Sequence, residues 1–222
     1  MTKHPPILIT GCPRSGASII AKAFYFCGAF IGDTTVMYEN EYILEAEHNL
    51  LKTIAADVRG QNPLPDTNNL RIPTWWADYV RDACFETTED KRWIYKSSLV
   101  TLLWPIWKAA FPDAKWIIVR RRTGDIINSC EKTTFMNGYS KREDWLNWIH
   151  QYEQRFIDMI DSGIDHRIVW PDRMVSEDYD QLQEAVEWTG LRWSNSVKSI
   201  IDPLLWHSRK KEKEENKWHE QQ

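Results

Sequence analysis

Short, mostly apolar runs alternate with longer amphipathic segments along this chain. The short runs lie at residues 7–10, 92–95, 115–119 and 167–170, and their continuous apolar character is typical of strands buried on both faces. Apolar positions at helical spacing predict helices at 15–27, 40–58, 74–86, 105–111, 124–132, 143–161 and 176–188. Because strands alternate with helices, the pattern predicts a three-layer α/β fold of the P-loop NTPase-like type, with a parallel β-sheet flanked by helices.

The length of the chain and its irregular segments predict the domain organisation. A chain of 222 residues forms one core without needing a second. We therefore expect a single domain over residues 1–209 and a charged tail over 210–222. Residues 60–73 are rich in Gly, Pro, Asn and Asp, and a loop of this length is typical of a binding segment, so we interpret it as a substrate lid.

Composition and charge exclude several classes of partner. With 28 basic and 32 acidic side chains the formal net charge is -4, so no overall positive field attracts nucleic acid. No apolar run approaches the length of about 20 residues that a membrane span needs, and no signal-peptide segment precedes the first strand. The four cysteines, Cys12, Cys27, Cys84 and Cys130, show no paired spacing. We expect reduced thiols, a cytoplasmic protein and no bound metal.

The first strand leads through a glycine-containing turn into a helix. This segment, residues 7–20, presents backbone N–H groups in the way that phosphate-binding loops do. The spacing from Gly11 to Gly16 and Ser18 matches G-x-x-x-x-G-K-S/T except that Ala17 replaces the lysine. An enzyme that transfers a γ-phosphoryl group needs that lysine and Mg²⁺. The loop therefore favours a less highly charged transferring group, with Arg14 as the nearest replacement cation.

Polar and basic residues follow two other strands where each strand ends. Lys96 is followed by two serines, and residues 120–122 are three arginines that precede a helix containing Ser129. The carboxyl ends of parallel strands meet at one edge of a sheet, where ligands bind. The best candidate strand for a Mg²⁺-binding aspartate ends in the three arginines instead. The sequence therefore predicts a metal-free anion site with several points of attachment.

These segments together resemble the sulfotransferase family that uses 3'-phosphoadenosine 5'-phosphosulfate (PAPS). The family's 5'-phosphosulfate loop, P-K/R-S-G-T/S-T/S, is similar to residues 13–18. Its 3'-phosphate motif, an arginine followed eight positions later by a serine, is matched by Arg121 and Ser129 with Asp125 between them. Residues 96–99 and 110–119 are similar to the lysine-bearing strand and to the F-P-x-A-K segment of the family, and 201–209 to the tail of bacterial members.

The resemblance implies a function and a role for each matching residue. The chain would transfer a sulfuryl group from PAPS to a hydroxyl or amine of a small-molecule or carbohydrate acceptor. Arg14 and Lys96 would contact the transferring group, and Arg121 and Ser129 would hold the 3'-phosphate. The donor-binding loop would comprise Pro13, Arg14, Ser15, Gly16, Ala17 and Ser18. A sulfuryl group carries less negative charge than a phosphoryl group, so backbone amides and these cations would suffice without a metal.

Two departures from the family pattern concern donor affinity and the catalytic base. Ala17 replaces a hydroxyl residue, which costs about 1 kcal/mol of hydrogen bonding, and Ser98 replaces the basic histidine of cytosolic members. Other branches supply a glutamate after the first helix, and residues 38–43 resemble the bacterial segment W-E-N/D-x-x-I/L. We therefore expect Glu39 to be the base, although a helix-capping role suits it equally. Glu41 and His48 are weaker candidates.

Three further hypotheses stay open from the sequence. The first rival function is a P-loop kinase-like phosphotransferase, which would bind ATP with Mg²⁺. The second is a non-catalytic PAPS- or nucleotide-binding protein, which Ser98 suggests because the usual base is absent. Finally, His207, Arg209 and Lys210 are candidates to close over the 3'-phosphate, although a charged tail explains them at least as well.

Overall fold

The computed structural model describes residues 4–85 and 91–200, which form a four-stranded sheet with helices on both faces. The strands are β1 Ile7–Gly11, β2 Ile94–Lys96, β3 Lys115–Val119 and β4 Asp165–Val169. The helices are α1 Ala17–Phe26, α2 Glu41–Thr53, α3 Trp76–Phe85, α4 Leu99–Leu102, α5 Trp104–Ala110, α6 Thr123–Glu131, α7 Arg142–Asp161, α8 Pro171–Val175 and α9 Asp180–Trp188. Two 3₁₀ turns occupy Thr67–Asn69 and Asn195–Ser199.

All neighbouring strands are parallel, in the order β2-β1-β3-β4. The central strand β1 pairs with β2 on one side and β3 on the other. The chain therefore leaves β1 toward one edge of the sheet and later returns to its other side. Such a reversal of strand order opens a crevice at the carboxyl ends of the strands.

The two faces of the sheet carry separate hydrophobic clusters. Leu8 of β1 belongs to the cluster under α2 to α7, whereas its neighbours Ile7 and Ile9 belong to the cluster under α1, α8 and α9. Because successive side chains of a strand point to opposite faces, a strand with helices on both sides must be apolar at every position. This confirms the predicted three-layer α/β fold.

Several predicted boundaries were wrong, for local reasons. The second helix ends at Thr53 instead of 58, because Ala55 takes a left-handed conformation (φ 55°) and the Ala56 N–H bonds back to the Leu51 carbonyl. This helix-ending geometry usually has a glycine, which the sequence lacks there. The predicted helix 176–188 begins only at Asp180, after a separate turn, α8. The short helix α4 was missed.

Some predictions concern residues beyond the described ranges. The segment 201–209, the candidates His207, Arg209 and Lys210, and the tail 210–222 lie outside the described residues. The division at residue 209 therefore stays a prediction. None of the helices within 4–85 and 91–200 combines the length and apolar character that crossing a membrane requires.

Candidate functional site

The turn between β1 and α1 forms an anion-binding geometry from its backbone. Arg14 and Gly16 both adopt left-handed conformations, with φ of 71° and 94°. A Cβ on Gly11 would lie 2.6 Å from the Val119 carbonyl oxygen, so only glycine allows β1 and β3 to approach this closely here. The N–H groups of Ala17 and Ser18 begin α1 and have no intrahelical acceptors, and the first turn contains no acidic residue. These features suit a bound phosphate.

The loop is joined directly to the segment after β3. Arg14 donates from Nε to Ser129 Oγ in α6 at 2.9 Å, across 115 positions of sequence. Arg121 donates from Nη1 to the Arg14 carbonyl oxygen at 3.1 Å. Burial lowers the pKa of Arg121, with the nearby cations Arg14 and Arg122 acting in the same direction. The two anion-binding segments predicted from the sequence therefore form one continuous surface.

The three consecutive arginines after β3 have different surroundings. Only Arg121 faces the cavity formed by these segments. Arg120 pairs with Glu153 at 2.7 Å and lies over the rings of Phe156 and Trp170. Arg122 pairs with Asp125 at 3.1 Å. Of the three arginines, only Arg121 therefore contributes its side chain to the site.

Lys96, at the end of β2, forms an ion pair with Glu39. Its Nζ lies 2.7 Å from Glu39 Oε1, and the two side chains are 6% and 20% exposed. Burial lowers the pKa of Lys96, and the neighbouring carboxylate of Glu39 opposes this effect. The side chain of Asn40 caps α2 by accepting from the Ile43 N–H at 3.1 Å. The helix cap is therefore Asn40, and the Glu39 carboxylate lies beside the lysine.

A single cavity of about 1510 Å³ contains the predicted site residues. All ten of them line it: Pro13, Arg14, Ser15, Gly16, Ala17, Ser18, Glu39, Lys96, Arg121 and Ser129. Of the weaker base candidates, His48 lines the cavity and burial lowers its pKa, whereas Glu41 is exposed and outside the lining. Cys12 also borders the cavity, and burial raises the pKa of its thiol well above the usual range.

The predicted lid, residues 60–73, does not line the cavity. Its first residues are held against the body of the protein. The Gly60 carbonyl accepts hydrogen bonds from Trp148 at 2.9 Å and Tyr152 at 3.0 Å, and the Gln61 side chain bonds to the backbone of Phe135 and Gly138. Instead, Val58 and Arg59, just before this stretch, reach the cavity.

Sequence reasoning missed Glu47, a fully buried carboxylate on α2. It lies four positions after Ile43 and four before Leu51, both fully buried, so it occupies the apolar face of the helix. A carboxylate on the apolar face of a predicted helix is the sequence feature that would have indicated a buried, hydrogen-bonded side chain. Burial raises its pKa to about 7, against the opposing effect of three hydrogen bonds.

Metal ligands are not grouped in the part of the chain that the structure describes. Within residues 4–85 and 91–200, no three His, Cys, Asp or Glu side chains lie together in a way that would hold an ion. Metal-free chemistry stays a prediction for this chain.

Comparison with solved structures identifies sulfotransferase domains with the same fold. The sulfotransferase domain from the Synechococcus PCC 7002 olefin synthase is 16% identical with a TM-score of 0.61, over 93% of this chain and 88% of that one. Sulfotransferase STF1 from Mycobacterium tuberculosis H37Rv is 13% identical with a TM-score of 0.50, over 93% of this chain and 76% of that one. At such identities the likeness concerns the fold. No protein-family model and no curated protein sequence matches the chain significantly.

Proposed function

We propose that this chain is a PAPS-dependent sulfotransferase. The observation that carries the proposal is the direct contact between the glycine loop and the segment after β3, through Arg14, Arg121 and Ser129. One wall of the cavity thereby presents two anion-binding segments, as a ligand with phosphate at two positions of one nucleoside requires. The shared fold with sulfotransferase domains supports the same interpretation.

The residues of the cavity have complementary roles in this proposal. PAPS supplies a sulfuryl group bonded to its 5'-phosphate. The loop N–H groups and Arg14 hold the 5' end, and Arg121 and Ser129 hold the 3'-phosphate. The ammonium of Lys96 stabilises negative charge on the phosphate oxygen from which the sulfuryl group departs. Together these groups neutralise the developing charge without a metal ion.

Glu39 is the proposed base. Its carboxylate takes the proton of the acceptor hydroxyl as the new S–O bond forms. Met37 and Leu44 flank it in sequence and line the same cavity, so they form an apolar surface for the acceptor. We expect a small-molecule or carbohydrate acceptor. The cytoplasmic location stays a prediction.

Calorimetry with adenosine 3',5'-bisphosphate tests the donor site. We expect this ligand to bind at least about 10-fold more tightly than adenosine 5'-phosphate, because charge-assisted hydrogen bonds contribute about 1.5–3 kcal/mol. Arg121→Met and Ser129→Ala should each reduce that preference. Arg122→Met is the matched control, because Arg122 leaves the same strand end but does not line the cavity. Equal binding of the two nucleotides would contradict the proposal.

Two further measurements separate the rival functions. ATP that binds more tightly than the bisphosphate, and only with Mg²⁺, would favour a kinase-like phosphotransferase. Incubation with ³⁵S-labelled donor and panels of alcohols, amines and sugars detects transfer. Tight binding of the bisphosphate without transfer to any acceptor would favour a non-catalytic binding protein.

A further inference from the structure

We propose that Glu47 is a positioning residue that fixes the direction of Lys96 by holding the two residues on either side of it. This inference rests on the proposed function for the role of Lys96. Glu47 does not line the cavity and contacts no proposed substrate. It acts from the core, through the backbone of β2.

Three hydrogen bonds hold the Glu47 carboxylate. Its Oε2 accepts from the Tyr95 hydroxyl at 2.7 Å and from Ser97 Oγ at 2.9 Å. Its Oε1 accepts from Trp107 Nε1 at 3.0 Å. Among the residues that the structure describes, Glu47 is the only carboxylate that is fully buried. Such burial is costly unless the group is well bonded, so the three donors are what keep it in the core.

The two hydroxyl donors immediately precede and follow Lys96. Tyr95 and Ser97 both reach Glu47 on α2. Because successive side chains of a strand point to opposite faces, Lys96 between them leaves the strand on the other face and reaches Glu39. One oxygen atom of Glu47 binds both of the flanking side chains. The rotation of the strand end about its own axis is thereby fixed, and with it the direction in which Lys96 leaves the sheet.

The same anchor reaches the glycine loop. Ser97 Oγ accepts from the Leu99 N–H at 3.0 Å, and the Ser97 carbonyl accepts from Thr10 Oγ1 at 2.8 Å. Thr10 immediately precedes Gly11, where the loop begins. Hydrogen bonds therefore connect Glu47 to the ends of β2 and β1, two of the three strands that carry the proposed donor site.

Helix α2 also relates Glu47 to the partner of Lys96. Glu39 lies just before the start of α2, and Glu47 lies two turns into it. One carboxylate binds the ammonium of Lys96, and the other binds the residues beside it. Helix α2 thus carries Glu47 and begins two residues after Glu39, so one element relates the lysine to its counter-ion.

Glu47→Gln is the most direct test, because glutamine has the same shape but one amide nitrogen in place of an acceptor oxygen. Trp107 Nε1 can only donate, so the glutamine must turn its oxygen to Trp107 and its NH₂ toward the two hydroxyls. Those hydroxyls can then only accept from the NH₂, so the two hydroxyl protons lose the acceptor that they share. We expect kcat to fall at least about 10-fold, while the preference for adenosine 3',5'-bisphosphate over adenosine 5'-phosphate changes less than about twofold, because Lys96 faces the 5'-phosphate that both nucleotides carry. Val186→Ala in α9 removes a fully buried side chain elsewhere and serves as the control for stability alone.

A purely structural role for Glu47 predicts a different result. In that case Glu47→Gln and Val186→Ala would lower stability and leave kcat unchanged at temperatures where both variants are folded, and this would overturn the proposal. Loss of the preference for the bisphosphate over adenosine 5'-phosphate together with kcat would also overturn it, because it would indicate general disruption of the site, including the 3'-phosphate contacts.

A crystal structure of Glu47→Gln decides the question independently of activity. If Lys96 Nζ moves out of hydrogen-bond distance of Glu39, the positioning role is supported even where no sulfuryl transfer is detected. If the 2.7 Å contact persists unchanged, the proposal is wrong, whatever the chain catalyses.

Discussion

The two members of the Lys96–Glu39 ion pair should differ in how much their substitution destabilises the protein. Removing the charge of either side chain abolishes the same ion pair, but the two partners differ in burial. Glu39→Gln leaves a charged lysine whose side chain is only 6% exposed, whereas Lys96→Met leaves a charged glutamate whose side chain is 20% exposed. We expect Glu39→Gln to destabilise the protein more than Lys96→Met.

The magnitudes follow from the cost of an unpaired buried charge. Breaking a fully buried ion pair by removing one partner costs about 3–5 kcal/mol. Because the glutamine oxygen still accepts one hydrogen bond, and because water reaches part of this site, we expect about 2 kcal/mol for Glu39→Gln. Water solvates the remaining carboxylate in Lys96→Met, so we expect at most about 1 kcal/mol there. The double variant should cost less than the sum of the single variants.

The free energy of unfolding of Glu39→Gln should also depend on pH in a predictable direction. Burial already lowers the pKa of Lys96, and Glu39 holds it up, so Glu39→Gln lowers it further. Between its lowered pKa in the folded chain and its ordinary pKa in the unfolded chain, this lysine is more often protonated in the unfolded chain. The free energy of unfolding therefore rises with pH over that range. The deficit of Glu39→Gln should therefore shrink as the pH rises toward the pKa of an unfolded lysine.

Urea denaturation followed by tryptophan fluorescence measures these free energies of unfolding. Wild type, both single variants and the double variant are compared at neutral pH and at two higher values. If Lys96→Met destabilises the protein as much as Glu39→Gln, or if the loss of stability in Glu39→Gln grows with pH, then burial of the unpaired charge does not set these free energies.

Three further predictions follow from the loop and from α2. Gly11→Ala should abolish binding of adenosine 3',5'-bisphosphate and lower Tm, because its Cβ would meet the Val119 backbone oxygen at 2.6 Å. Calorimetry and thermal melts check this, with Gly124→Ala as the control, since a Cβ there would meet no atom within 4 Å apart from its chain neighbours and the backbone of its own helix. Ala17→Ser adds a hydroxyl at the start of α1 and should tighten binding of the bisphosphate about fivefold, or about 1 kcal/mol; unchanged affinity by calorimetry would contradict this. Burial raises the pKa of Glu47 from 4.5 to about 7, so the folded chain binds more protons than the unfolded chain between these values and stability falls as pH rises. The fall amounts to about 3 kcal/mol at about 1.4 kcal/mol per pH unit. Glu47→Gln should lack this fall in urea denaturation, and parallel pH curves for the two proteins would count against it.

Strand β3 was predicted with its observed boundaries because its signal is local and strong. Residues 115–119 form an apolar run that is buried from Trp116 onward. The end of α2 was not predictable in the same way. Its left-handed residue is an alanine, and the cost of that conformation is accepted only because the surrounding structure fixes the turn.

In the candidate site, too, some features could be predicted from the local sequence and others could not. The loop and the pair Arg121 and Ser129 carry motif spacings, and the topology of a parallel sheet places the ends of their strands together. Glu47 carried no motif, because its importance depends on donors from β2 and α5, which lie 48 to 60 positions away in the chain.

Local sequence signals predict the alternation of strands and helices, the glycine turn, the choice of Arg121 by its spacing to Ser129, and the types of side chain that reach the carboxyl edge of the sheet. These features depend on periodicity and on backbone freedom, which neighbouring residues set among themselves. Packing between distant segments determines that Glu39 pairs with Lys96, that Arg120 pairs with Glu153, and that Glu47 is buried. Each of these outcomes depends on which distant element packs against the residue, and that choice minimises the free energy of the whole chain rather than of any one segment.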